Sequence, residues 1–166
     1  YNMIKTYPIA VGNTKTETPE GKYQVIKLET DPVWKVPKDL RKHYKKNYLG
    51  PGPDNPLGKY WIGLSNKKYG IHGTNFPWSI GRLVSKGCIR LYPEHIESLY
   101  KEVSLGNVVE IIYEPVKIGL RDSQIFIEVH PDLYGRFVNL EEHALELLEQ
   151  MNFMDSVFLE AVQKAL

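Results

Sequence analysis

Cysteine is nearly absent. One in 166 residues leaves neither an internal disulfide nor a multi-cysteine zinc site. An excess of charge is missing too. Lys and Arg number 21 against 20 Asp and Glu, so no global field exists to hold nucleic acid, and no nucleic-acid-binding motif replaces it. No apolar run approaches the roughly 18 to 20 residues of a membrane span, and no signal peptide is recognised. The opening residues 1–11 read as a strand already under way, as expected of a segment processed from a longer chain. Internal repeats, low-complexity tracts and the strand–helix alternation of parallel α/β folds are also missing. What remains has 42% apolar and 25% charged residues, the balance of a soluble globular chain with a core of its own.

Runs rich in β-branched and aromatic residues predict strands at 7–11, 23–28, 60–64, 69–72, 108–113 and 124–129. Turn formers fill 12–21, and residues 31–59 hold most of the prolines, predicting a long irregular loop of the kind that carries function. A helix is predicted over 93–103, with Pro93 at its first turn and Ile96, Leu99, Tyr100 and Val103 on one face. Asn139 followed by Glu142 has capping-box spacing and opens a helix to about residue 151. Asp155 or Ser156 is expected to cap a last helix. Leu145, Leu148, Met151 and Phe153 supply apolar surface that must be covered, by the β core, by the groove leading to the site or by a second copy. Pro115 marks the expected boundary. The reading is a mainly β fold: a β-sandwich core over 1–114 with a few helices, and a strand-and-helix extension over 115–166 packed on it.

The lone cysteine sits in Ser85-Lys86-Gly87-Cys88-Ile89-Arg90, 88 − 72 = 16 positions after His72. It is either a small buried hydrophobe or a nucleophile, and Ser85, Lys86, Gly87 and Arg90 are poor company for a core residue. A nucleophilic thiolate needs a base or nearby positive charge. His72 is either that base or a structural histidine; as neutral imidazole it can accept the thiol proton. Lys86 and Arg90 place two cations beside the thiol, which favours thiolate and suits an anionic substrate. Gly87 lets the backbone approach a substrate closely, and backbone amides there could serve a developing oxyanion.

Together, His72-Gly73-Thr74-Asn75 and Ser85-Lys86-Gly87-Cys88-Ile89-Arg90 resemble the catalytic signature of the L,D-transpeptidase family, the YkuD-type domain of bacterial cell-wall enzymes. Thr18-Pro19-Glu20-Gly21 resembles the family's Thr-Pro-x-Gly hairpin, residues 51–58 resemble the proline-rich loop of its periplasmic branch, and residues 93–96 and 108–112 match its closing helix and strand. The resemblance covers roughly 4–114. One position departs: Lys86 stands where the family usually has histidine. It keeps a positive charge but offers no imidazole acceptor.

The resemblance implies a peptidoglycan stem peptide as substrate and a site in the bacterial cell envelope, in the periplasm. Cys88 would attack the carbonyl of the third residue, a diamino acid, and expel the terminal D-alanine. His72 would serve as base and then acid, the Gly73 carbonyl would orient it, and the Gly87 and Cys88 amides would hold the oxyanion. An amine of a second stem, a D-amino acid, a lipoprotein lysine or water would resolve the acyl-enzyme, with neither metal nor cofactor. Alternatives are an L,D-carboxypeptidase and a non-catalytic peptidoglycan-binding module. A papain-like protease is disfavoured because there the cysteine precedes the histidine. Substrate-binding candidates are Arg90, Lys86, Ser85, Arg82, Thr74, Asn75 and Trp78. Arg82 is otherwise a solvated charge, and Trp78 and Phe76 otherwise core. His95 is expected at the surface, and the basic run Lys35, Lys38, Arg41, Lys42, Lys45 and Lys46 either meets anionic wall polymer or is solvated.

Overall fold

The computed structural model describes residues 5–122 and 124–151, and the chain divides into two units, Tyr1–Ile111 and Ile112–Leu166. The first unit runs β1 (Val11–Gly12), β2 (Gly21–Thr30), β3 (Trp34–Lys35), α1 (Arg41–Tyr44), β4 (Tyr48–Leu49), β5 (Tyr60–Leu64), β6 (Gly70–His72), β7 (Leu83–Ser85), β8 (Ile89–Arg90), α2 (Pro93–Glu102) and β9 (Val108–Ile111). The mainly β architecture with few helices is the expected one.

A five-stranded sheet in the order β8-β6-β5-β2-β9 forms the first unit's frame. The long strand β2 changes partner along its length: Gly21 to Gln24 face β9, and Val25 to Thr30 face β5. At the change, Val25 pairs with Leu64 and Lys27 with Gly63, leaving Ile26 as the extra residue of a bulge. The bulge shifts the inward phase from Tyr23 and Val25 to Leu28, where strict alternation would bury Lys27. On this core α2 lays Ile96, Leu99 and Tyr100, as its period predicts, and Val103, just past the end of the helix, packs there too. Ile96 joins Val25, Ile62 and Leu91 in the buried core, with Tyr60, Ile71 and Ile89 around them.

Residues 31–59 are not one irregular loop. They fold back as the antiparallel pair β3–β4, Trp34 opposite Leu49, with a helical turn at Lys38–Leu40 and then α1 between the strands. Two-residue strands among prolines and lysines carry no readable period. The remaining loop, 50–58, is built around Asn55. Its buried amide donates to the carbonyls of Pro32 (2.7 Å) and Gly50 (3.1 Å), and its Oδ1 accepts the Leu57 N–H (2.9 Å).

Of the strand expected at 7–11 only Ala10 and Val11 pair, the pairing running on to Gly12, and the short strands β7 and β8 escape sequence patterning. β1 runs parallel to β7, with Val11 opposite Leu83. Just before it, Ala10 and Arg90 exchange two backbone hydrogen bonds of 2.9 Å. β8 runs parallel to β6, with Ile71 opposite Ile89 and His72 opposite Arg90.

The second unit pairs β10 (Val116–Arg121) with β11 (Gln124–Val129) and ends its described part with α3 (Leu140–Gln150). Asn139 caps α3, its Oδ1 accepting the Glu141 N–H at 2.9 Å. Val116, Ala144 and Leu148 are the buried centre, flanked by Ile118, Ile125, Ile127, Val129, Leu140 and Leu147. The apolar face of α3 therefore runs through Ala144 and Leu147 rather than Leu145. Phe153 and the helix expected from Asp155 or Ser156 lie outside the described residues.

Candidate active site

Side chains alternate along strands, so the β6–β8 register puts Gly70, His72 and Arg90 on one face. Cys88 precedes β8 by one residue, and the Gly70 amide acts on its sulfur. Loop 73–87 thus returns the chain beside the strand it left, bringing the two halves of the motif together.

His72 is buried, and its Nδ1–H donates to the Gly73 carbonyl at 2.6 Å. Trp61, opposite it on β5, stacks on the ring with centroids 5.5 Å apart. Burial, and then the charge of Arg90, pull the imidazole down from 6.5 to about 4 against the carbonyls of Gly73 and Leu57. At neutral pH the ring is therefore uncharged. With the proton on Nδ1, the lone pair on Nε2 is that of a base.

Burial pushes the Cys88 thiol up, and the Gly70 amide and Arg90 oppose this without overcoming it. The resting pair is a neutral thiol and a neutral imidazole. This corrects the expectation that two flanking cations hold a thiolate. Burial outweighs Arg90, and the Lys86 ammonium is engaged by Asp39.

Ser85 also changes role. It is buried, donates its hydroxyl to the Cys88 carbonyl (2.5 Å) and accepts the Gly87 N–H (3.0 Å), so it clamps the nucleophile's loop instead of facing a substrate. The Gly87 amide is thereby committed and does not point to an oxyanion. Gly87 itself is required. Its φ is +100°, and a Cβ there would lie 2.4 Å from the Tyr69 ring.

Thr74 is buried and accepts the Phe76 N–H at 3.0 Å, shaping its own turn. Asn75 Oδ1 and Arg90 Nε are buried without hydrogen-bond partners among the described residues. Trp78 is 65% exposed, edge-on to the exposed Phe76 at 5.2 Å, so these aromatics are not core. The Arg82 side chain is exposed, as are Lys35, Lys38, Lys42, Lys45 and Lys46. His95 is not a plain surface residue, since it lies between the rings of Tyr7 and Tyr92. Among the described residues no group of three or more His, Cys, Asp or Glu could hold a metal ion, and no helix is long and apolar enough to cross a membrane.

Asp39, Trp61, Tyr69 and Gly70 were not singled out by sequence. For Trp61 a signal existed: pairing β5 with β6 around Gly63 and Gly70 sets it opposite His72.

Residues 2–111 match the YkuD family, described as the L,D-transpeptidase catalytic domain. The chain is 37% identical over 140 residues to "Probable L,D-transpeptidase ErfK/SrfK" of Salmonella typhimurium and 34% identical over 140 residues to "Probable L,D-transpeptidase YbiS" of Escherichia coli. Each match takes in 80% of this chain and 45% of the relative, so the chain spans less than half their length. An L,D-transpeptidase from Mycobacterium smegmatis shares the fold, with a TM-score of 0.52 at 22% identity over 66% of this chain and 49% of that one. The family match runs through both halves of the His72 and Cys88 motif, and the chain belongs to the YkuD family of L,D-transpeptidase catalytic domains.

Proposed function

We propose that this domain is a peptidoglycan L,D-transpeptidase with Cys88 as nucleophile and His72 as its base. The observation that carries the reading is the uncharged, Gly73-anchored His72 on the strand adjoining Cys88. Cys88 Sγ attacks the carbonyl of the third residue of a stem tetrapeptide while His72 Nε2 takes the thiol proton. The C–N bond to the terminal D-alanine breaks, and His72 returns the proton to the leaving amine. A thioester remains. An acceptor amine then attacks it, losing its proton through His72, and the thiol is regenerated with a new amide bond formed.

The high resting position of the thiol suits this sequence. A standing thiolate would meet oxidants and stray electrophiles, whereas proton transfer coupled to attack forms the nucleophile only against a bound carbonyl. With the Gly87 amide held by Ser85, the Cys88 N–H is the amide left to meet the oxyanion. Arg90 Nε and Asn75 Oδ1 are buried polar atoms without a hydrogen-bond partner among the described residues, and the Arg90 guanidinium suits a carboxylate. Lys86 adds a second cation, Trp78 and Phe76 an aromatic wall, Gly73 and Thr74 the floor, and Arg82 an outlying charge. The acceptor is an amine of another stem, a D-amino acid or a lipoprotein lysine, and the place is the bacterial cell envelope, in the periplasm.

Incubation with disaccharide-tetrapeptide, with and without a D-amino acid, tests the reading by mass spectrometry of the products. Exchanged or cross-linked product is expected, and none from Cys88→Ala. Tripeptide alone would assign an L,D-carboxypeptidase, and no product with an unreactive thiol would leave a peptidoglycan-binding module.

A further inference from the structure

Lys86 lies two residues before Cys88, and its ammonium pairs with the carboxylate of Asp39, from the helical turn that follows β3. Both side chains remain open to water, 47% and 63% exposed. Tyr44 on α1 also lies near enough to Arg90 to favour its charge against burial. The β3–β4 pair and the edge-on contact of Trp34 with Tyr44, 5.0 Å between rings, close this segment into a strap. The strap therefore bears on Arg90, whose charge acts on the thiol, and on Lys86, two residues before Cys88 in the chain. An acid of the chain itself occupies Lys86.

We propose that Asp39 is an internal stand-in for the donor's carboxylate, pairing with Lys86 until an incoming carboxylate takes its place and frees the strap from the Cys88 loop. This rests on reading Cys88 as a nucleophile for a carboxylate-bearing donor. It makes Asp39 a specificity-determining residue, because a neutral ligand gains nothing from the exchange. The weakness of the pair is what the role needs. An exposed ion pair shifts an equilibrium by up to roughly fivefold, so a competing carboxylate can displace it. Lysine's point charge on a flexible stem accepts either partner without a fixed fork geometry.

The test uses the full chain and two alkylating reagents that share a leaving group and differ in charge, iodoacetate and iodoacetamide. Rates at Cys88 are measured for wild type, Asp39→Asn, Lys86→Met and the double variant. Asp39→Asn is expected to raise the iodoacetate-to-iodoacetamide rate ratio roughly two- to fivefold at low ionic strength. The gain should vanish near 1 M salt, where charges are screened beyond about 3 Å. In the Lys86→Met background, Asp39→Asn should leave the ratio unchanged. A gain that persists there reports only the removal of a nearby negative charge and overturns the proposal. So does equal acceleration of both reagents, which marks a mere brace, or an unchanged ratio in Asp39→Asn. If neither reagent labels Cys88 in any variant, the active-site reading itself is overturned.

Discussion

His72 commits its Nδ1 proton to the carbonyl of the next residue, and that contact fixes which ring nitrogen can act. Its depressed pKa also makes a stability prediction. The folded value, about 4, lies below the ordinary 6.5, so the unfolded chain takes up this proton first as pH falls. The contribution is complete above pH 6.5 and is lost progressively towards pH 4, amounting to about 3 kcal/mol. Urea midpoints at pH 7 and 4.5 should differ accordingly in wild type, and this part of the difference should be absent from His72→Ala. Ser85→Ala strips the Gly87 amide and the Cys88 carbonyl of a buried partner, at a cost of about 1–3 kcal/mol. Acylation should slow as well, because the clamp positions the thiol; unchanged acylation kinetics in a folded variant would refute that role. At this scale Cys88 and His72 could be singled out from the sequence because their telling neighbours are adjacent in it. Asp39, Trp61 and Tyr69 could not, because each reaches the motif from another segment.

Period decides what is legible among the elements. Ten residues of α2 repeat the core face often enough to be read, and β5 and β11 were placed residue for residue. β1, β7 and β8 are two or three residues long, and a period of two cannot be read from so few. They form because their neighbours supply the backbone partners. α3 was foreseen from Asn139, and its burial against the β10–β11 hairpin centres on Leu148, which is fully buried. Leu148→Ala should cost about 2–5 kcal/mol, read as faster hydrogen exchange of α3 amides. A loss below 1 kcal/mol would mean that the face is not held there.

For the chain as a whole, the single cysteine makes one measurement decisive. A strained β-lactam carbonyl is an acyl donor for a thiol activated beside an oxyanion site, and a carbapenem carries a carboxylate for the cations nearby. Intact mass spectrometry should find one carbapenem adduct per chain and none on Cys88→Ala. No adduct at high drug concentration would count against an open site, and an adduct on the variant would move the nucleophile elsewhere. Pro115 was read as a boundary because proline interrupts a continuing central strand, and the two compact units meet at Ile111 and Ile112. The strap at 32–49 was not legible, since its folding depends on partners rather than pattern.

The exchange of hydrogen bonds between Ala10 and Arg90 spans 90 − 10 = 80 positions. Such distant closures are slow compared with formation of a local helix. The Ser85 clamp is local to the Cys88 loop, and the Gly70 amide and His72 reach Cys88 through the β6–β8 pairing. Until Ala10 closes on Arg90, however, the outer side of β8 has no backbone partner to hold that arrangement. With Cys88 as the proposed nucleophile, its full reactivity is therefore expected late in folding. In refolding from denaturant, competence for carbapenem acylation should lag the helical circular dichroism signal, and simultaneous recovery would show that the site assembles with its helices.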